Sequence, residues 1–87
     1  MKLMLMIVRD EDAELVTQEL IQNDFRVTRM ASTGGFLRRG NSTLLVGVED
    51  ERVETVTDLL RRVCSPAEGE HRRATIFILN MPFYAKI

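Results

Sequence analysis

Residues 31–43 read ASTGGFLRRGNST. Gly34 and Gly35 reach positive φ readily, and successive backbone N–H groups in such a pair turn inward to form an anion-binding nest. Arg38 and Arg39 carry planar forks that match phosphate oxygens in pairs. Phe36 offers a flat face to a base, and Asn41 offers a donor and an acceptor to a base edge. The chemistry this set suits is recognition of a nucleotide rather than of a bare phosphate. The same residues also suit a plain hairpin loop, with GG and GN supplying turn geometry and the arginines a solvated tip. Phe36 and Leu37 would then anchor the loop to the chain's own core. No Gly-Lys-Ser/Thr follows, so the stretch is not a P-loop, and it lacks the dinucleotide-binding glycine spacing. From Phe25 to Val48 there is no Asp or Glu, whereas Arg26, Arg29, Arg38 and Arg39 all fall there. A chain of formal net charge −1 therefore carries a local block of positive charge around this loop.

Catalytic groupings are weak elsewhere. His71 stands in a charged connector beside Arg72 and Arg73, as a solvated histidine does. Ser32, Thr33 and Ser42 have no evident base partner. Asp10, Glu11 and Asp12 suit capping and dipole stabilisation at a helix start better than a metal cluster. With one His and one Cys, no zinc site can be read. Cys64 falls on an apolar helical rhythm and reads as buried filler. The expectation is a protein that is not an enzyme and holds no metal or cofactor. The near-neutral charge argues against nucleic-acid binding. MKLMLMIV is too short to span a bilayer and runs directly into RDED, so a soluble, cytoplasmic protein without membrane attachment is expected.

Six elements must position the loop, and they read as one α+β domain over residues 1–87. Residues 2–8 are an apolar run that suits a buried strand. RDEDAELVTQELIQND follows as a helix with Ala13, Val16 and Leu20 on one face. FRVTRMA alternates as a strand, with Phe25 and Val27 one way and Arg26, Thr28 and Met30 the other. TLLVGVE is a further strand. DERVETVTDLLRRVC is the second helix, with Asp50 as its N-cap and Val53, Val56, Leu60 and Val63 on its stripe. SPAEGEHR connects it to a last strand, ATIFILN, and Met81 to Ile87 form a tail. The order βαββαβ is ferredoxin-like, an antiparallel sheet with two helices on one face. The first strand, however, is apolar on both sides: Leu3, Leu5 and Ile7 on one, Met4, Met6 and Val8 on the other. Ile76 and Ile78 oppose Phe77 and Leu79 in the same way. Two helices supply one cover, so a homo-oligomer with inward sheet faces is expected to supply the second.

FRVTRMASTGGFLRRGNSTLLVGVEDERV, together with ATIFIL, resembles the PII-like cyclic di-AMP receptors of bacteria over nearly the whole chain. The resemblance implies a cytoplasmic, non-catalytic homotrimer with ligand in clefts between neighbouring subunits. The 32–41 loop corresponds to the PII T-loop in that family; because it is polar and carries three glycines, it is expected to order on binding and so signal to a protein target. By matching position the resemblance gives Arg26 and Thr28 to bases and phosphates, and Gly35, Phe36 and Leu37 to the pocket wall. Asn41 then addresses adenine, and Gly47 keeps its strand open against the ligand. The chain departs from that family in its short connector, Ser65 to Arg73, and in Arg72-Arg73 where the family has two glycines. It also has Lys86 where the family often has glutamine, and Asp24 where it often has asparagine. The alternatives are a trimer that binds another adenine nucleotide, and an interaction module that docks a protein through Phe36 and Leu37.

Overall fold

The apolar run near the N-terminus builds the centre of the molecule. The computed structural model describes residues 1–30, 40–64, 74–82, 85 and 87. In it Lys2–Arg9 form β1, followed by α1 (Asp10–Gln22), β2 (Val27–Met30), β3 (Asn41–Val48), α2 (Val53–Val63) and β4 (Ala74–Asn80). All strand pairings are antiparallel, in the order β2-β3-β1-β4. Leu5 of β1 stands opposite Leu45 of β3 on one side and Phe77 of β4 on the other. This is the expected ferredoxin-like fold, and β4 has the bounds read from the sequence.

The even-numbered residues of β1 (Met4, Met6 and Val8) are buried beneath the helices with Leu44, Val46 and Val48. From above, α1 contributes Ala13, Val16 and Leu20, and α2 contributes Val56, Leu59 and Leu60. Burying a large apolar side chain is worth about 1.5–3 kcal/mol, whereas acids in a first helical turn add about 0.3–1 kcal/mol each. Packing therefore holds α1 in place. Cys64 is buried in the same core, as expected of filler.

Three local expectations are corrected. The α1 N-cap is Arg9, with no side-chain cap bond, and the three acids fall inside the first helical turn. Asp10 instead ties the helix to β3, its N–H donating to Gly40 O at 2.8 Å and its carboxylate accepting from Ser42 Oγ at 2.6 Å. Asp50 does not cap α2 either, because Asp50–Arg52 form a separate 3₁₀ turn and its carboxylate pairs with the Met1 amino group at 3.2 Å. The strand expected to start at Phe25 starts at Val27, because the turn that ends α1 occupies the preceding residues; Ala31 lies outside the described residues.

That helix end is a complete Schellman motif. Phe25 N–H donates to Leu20 O at 3.0 Å and Asp24 N–H to Ile21 O at 3.0 Å. The left-handed position falls to Asp24, at φ 66°. A non-glycine residue there is strained by about 1–3 kcal/mol, partly regained through lower entropy of the unfolded chain. Asp24→Gly should accordingly raise unfolding stability by about 0.5–1 kcal/mol. Denaturant titration at fixed protein concentration checks this, and a destabilised variant would contradict it.

Candidate functional site

The pleat sorts the candidate residues before any side chain is considered. Residues on β3 that oppose Leu3, Leu5 and Ile7 are Gly47, Leu45 and Thr43. Thr28 and Met30 of β2 stand opposite Leu45 and Thr43, on the same side. Arg26 lies one step beyond the Val27–Val46 pair and so falls beside Gly47. Arg26, Thr28, Asn41 and Gly47 thus share the sheet face opposite α1 and α2. Apart from them and from Arg9, Thr43 and Thr75 at one end, the face is apolar, with Leu3, Leu5, Ile7 and Leu45 half-buried and Phe77 and Leu79 about half exposed at 52% and 48%. The sequence expectation of strands apolar on both sides is met.

Along this face the candidates form two groups. Arg26, Thr28 and Gly47 line one cleft of about 560 Å³, floored by Leu3 and Leu45 and bordered by Met1 and Met81. Its wall is the α1–β2 turn (Asp24, Phe25) and the segment Val48, Glu49 and Arg52. Asn41 is elsewhere, at the other end of β3 opposite Arg9. Six strand steps separate it from Gly47, or about 20 Å at the rise of a β-strand. Thr43, next to Asn41 on the face, is buried and its hydroxyl finds no hydrogen-bond partner among the described residues. Gly40, at φ 87°, makes the turn into β3 that a side chain would strain. Gly35, Phe36 and Leu37 lie outside the described residues, as do Lys86 and the 65–73 connector.

Charges in the cleft are balanced. Arg26, Arg52, Asp24 and Glu49 all line it, and neither arginine has an ion-pair partner among the described residues. Of the positive block read from the sequence, Arg29 drops out. It turns to the helix side, donating to Ser42 Oγ at 3.3 Å and pairing with Glu14 at 3.8 Å. Ser42, left without a base in the sequence reading, belongs to this Arg29–Ser42–Asp10 bracket between α1 and β3. Arg52 was not singled out from the sequence. Its position depends on the 3₁₀ turn packing against the end of α1, a contact that no periodicity announces. Among the described residues, no His, Cys, Asp or Glu group could hold a metal ion, and no helix is long and apolar enough to cross a membrane.

A family model described as "Cyclic-di-AMP receptor" matches residues 1–70. A solved structure described as a functionally unknown protein from Pediococcus pentosaceus ATCC 25745 is 29% identical to this chain. It superposes with a TM-score of 0.79, over 99% of this chain and 96% of that one. The sheet, helices and small size are therefore shared with that protein.

Gly47 is where backbone rather than side chain faces the cleft. A Cβ there would meet Met81 Cε at 3.3 Å and Met1 Cε at 3.8 Å, both ends of flexible side chains. Gly47→Val should therefore fold with stability within about 1 kcal/mol of the parent, since a β-branched residue suits a strand. It should also fill the cleft and weaken nucleotide binding at least tenfold. Thermal unfolding beside a nucleotide titration checks both halves. Undiminished binding would remove Gly47 from the site.

Proposed function

The chain belongs to the cyclic-di-AMP receptor family, whose members are binding and signalling proteins, and from that premise we propose where and how it takes its ligand. Cyclic di-AMP binds in clefts between the protomers of a homotrimer. One protomer contributes Arg26, Thr28 and Gly47, and its neighbour contributes Asn41 with Gly35, Phe36 and Leu37. Binding orders the 32–41 loop, and the changed loop surface is what a protein target reads. No bond is made or broken in this scheme.

The observation that carries the reading is the split of the candidate residues along one strand. Along β3, the Gly47 end of that cleft lies about 20 Å, and the Leu45 position opposite Thr28 about 13 Å, from the Asn41 of the same protomer. A neighbouring copy laid against the open face brings a second Asn41 within reach. The same face supplies the motive for assembly, because its leucines, isoleucine and Phe77 gain a cover. The cleft volume falls within the usual range for small-molecule sites, about 300–1,000 Å³. Chemically, the Arg26 fork suits a phosphate, Thr28 adds a hydroxyl donor, and bare backbone at Gly47 lets a flat base lie against β3.

Calorimetry with cyclic di-AMP, cyclic di-GMP, AMP and ATP should show cyclic di-AMP tightest, at one site per protomer. Arg26→Ala, losing a charge-assisted hydrogen bond of about 1.5–3 kcal/mol, should weaken it roughly ten- to hundredfold with the fold unchanged. Hydrogen exchange at residues 32–41 should slow on saturation. Preference for AMP or ATP would support the adenine-nucleotide alternative, and no binding at all the protein-docking one. Unchanged exchange with measured binding would remove the loop switch.

A further inference from the structure

Arg52 is held by two contacts that leave much of its guanidinium unspent. Its Nη2 donates to Asn23 O at 3.1 Å, satisfying the carbonyl at the end of α1. Its Cζ sits 4.0 Å from the centroid of the Phe25 ring, a close cation–π contact. Phe25 is buried, Arg52 is half-buried, and both border the cleft beside Arg26. A guanidinium has five N–H donors, and the contacts above account for one.

From this we infer that Arg52 is a second cationic fork for the ligand's phosphates, a binding residue beyond those implied by the family resemblance. The inference rests on the cyclic-di-AMP reading above and adds to it a residue and a reason. The Met1 amino group at the border is paired with Asp50, so without Arg52 the remaining charged groups lining the cleft would be Asp24, Glu49 and Arg26, a net negative set facing a ligand with two phosphodiesters. With Arg52 the set is neutral before the ligand arrives. The ring of Phe25 and the carbonyl of Asn23 fix the fork in advance, so little side-chain freedom is lost on binding. The same two contacts tie the 3₁₀ turn to the α1–β2 turn, and so place Arg52 and Arg26 on one cleft wall. Lysine at this position keeps the charge and loses both the planar fork and the stack.

The test is calorimetry of cyclic di-AMP with the parent, Arg52→Gln and Arg52→Lys at low and moderate salt, each beside its ligand-free thermal unfolding. The expected result is an affinity at least tenfold lower in Arg52→Gln, with a shallower salt dependence. Arg52→Lys should regain part of the affinity and most of the salt dependence. A helix-capping role alone would lower the unfolding temperature of both variants and leave the salt dependence at the parent's value. That pattern, or an Arg52→Gln variant that binds as tightly as the parent, would overturn the inference while leaving the cyclic-di-AMP reading intact. A parent protein that binds no cyclic di-AMP would overturn the reading itself and this inference with it.

Discussion

Leu45 stands opposite Leu5 on one side and Thr28 on the other, and this register of β3 is the constraint on which the other features depend. Strand side chains alternate faces, so a slip by one residue would exchange the covered and open sides. Leu44, Val46 and Val48 would leave the core, and Leu45 and Gly47 would turn beneath the helices. The buried set resists such a slip, because it comprises the largest fully buried side chains of the sheet. Packing on the helix side therefore determines which residues appear on the other side. The candidate site is in this sense the reverse face of the core.

The end of α1 transmits that constraint to the cleft wall. The Schellman turn sets where β2 begins, which puts Arg26 just beyond the ladder and beside Gly47. Arg52 closes the turn from the opposite side through Asn23 and Phe25. Asp24 takes up a left-handed conformation and adds an acid to the cleft lining. Surface ion pairs elsewhere, such as Arg61 with Asp58 at 2.9 Å, are solvent-screened and contribute little by comparison.

The fold was legible where apolar spacing carries it. Ala13, Val16 and Leu20 mark the buried face of α1, Val56 and Leu60 that of α2, and ATIFILN reads directly as β4. Helix starts were less legible, because carboxylates near an N-terminus look alike whether they cap, as expected of Asp50, or pair with a distant amino group, as Asp50 does. For the site, alternation placed Arg26 and Thr28 together on one side of their strand. Asn41 and Gly47 look adjacent in GNSTLLVG, yet a straight strand sets them far apart, and only the register reveals it. Arg52 lies near the cleft through packing between residues distant in sequence, which leaves no local pattern. Gly35, Phe36 and Leu37 remain expectations from resemblance, outside the described residues.

The central claim is that a complete site draws on two protomers, and mixing of variants tests it most directly. Chains carrying Arg26→Ala and chains carrying Asn41→Ala are each weakened alone. Unfolded and refolded together, they should form mixed assemblies in which roughly a quarter of the clefts pair an intact Arg26 with an intact Asn41 from the neighbour. Calorimetry of the mixture should then recover a tight class of cyclic di-AMP sites at about that fraction. A co-refolded mixture that binds only as weakly as its two parents, with exchange of chains verified, would contradict the account.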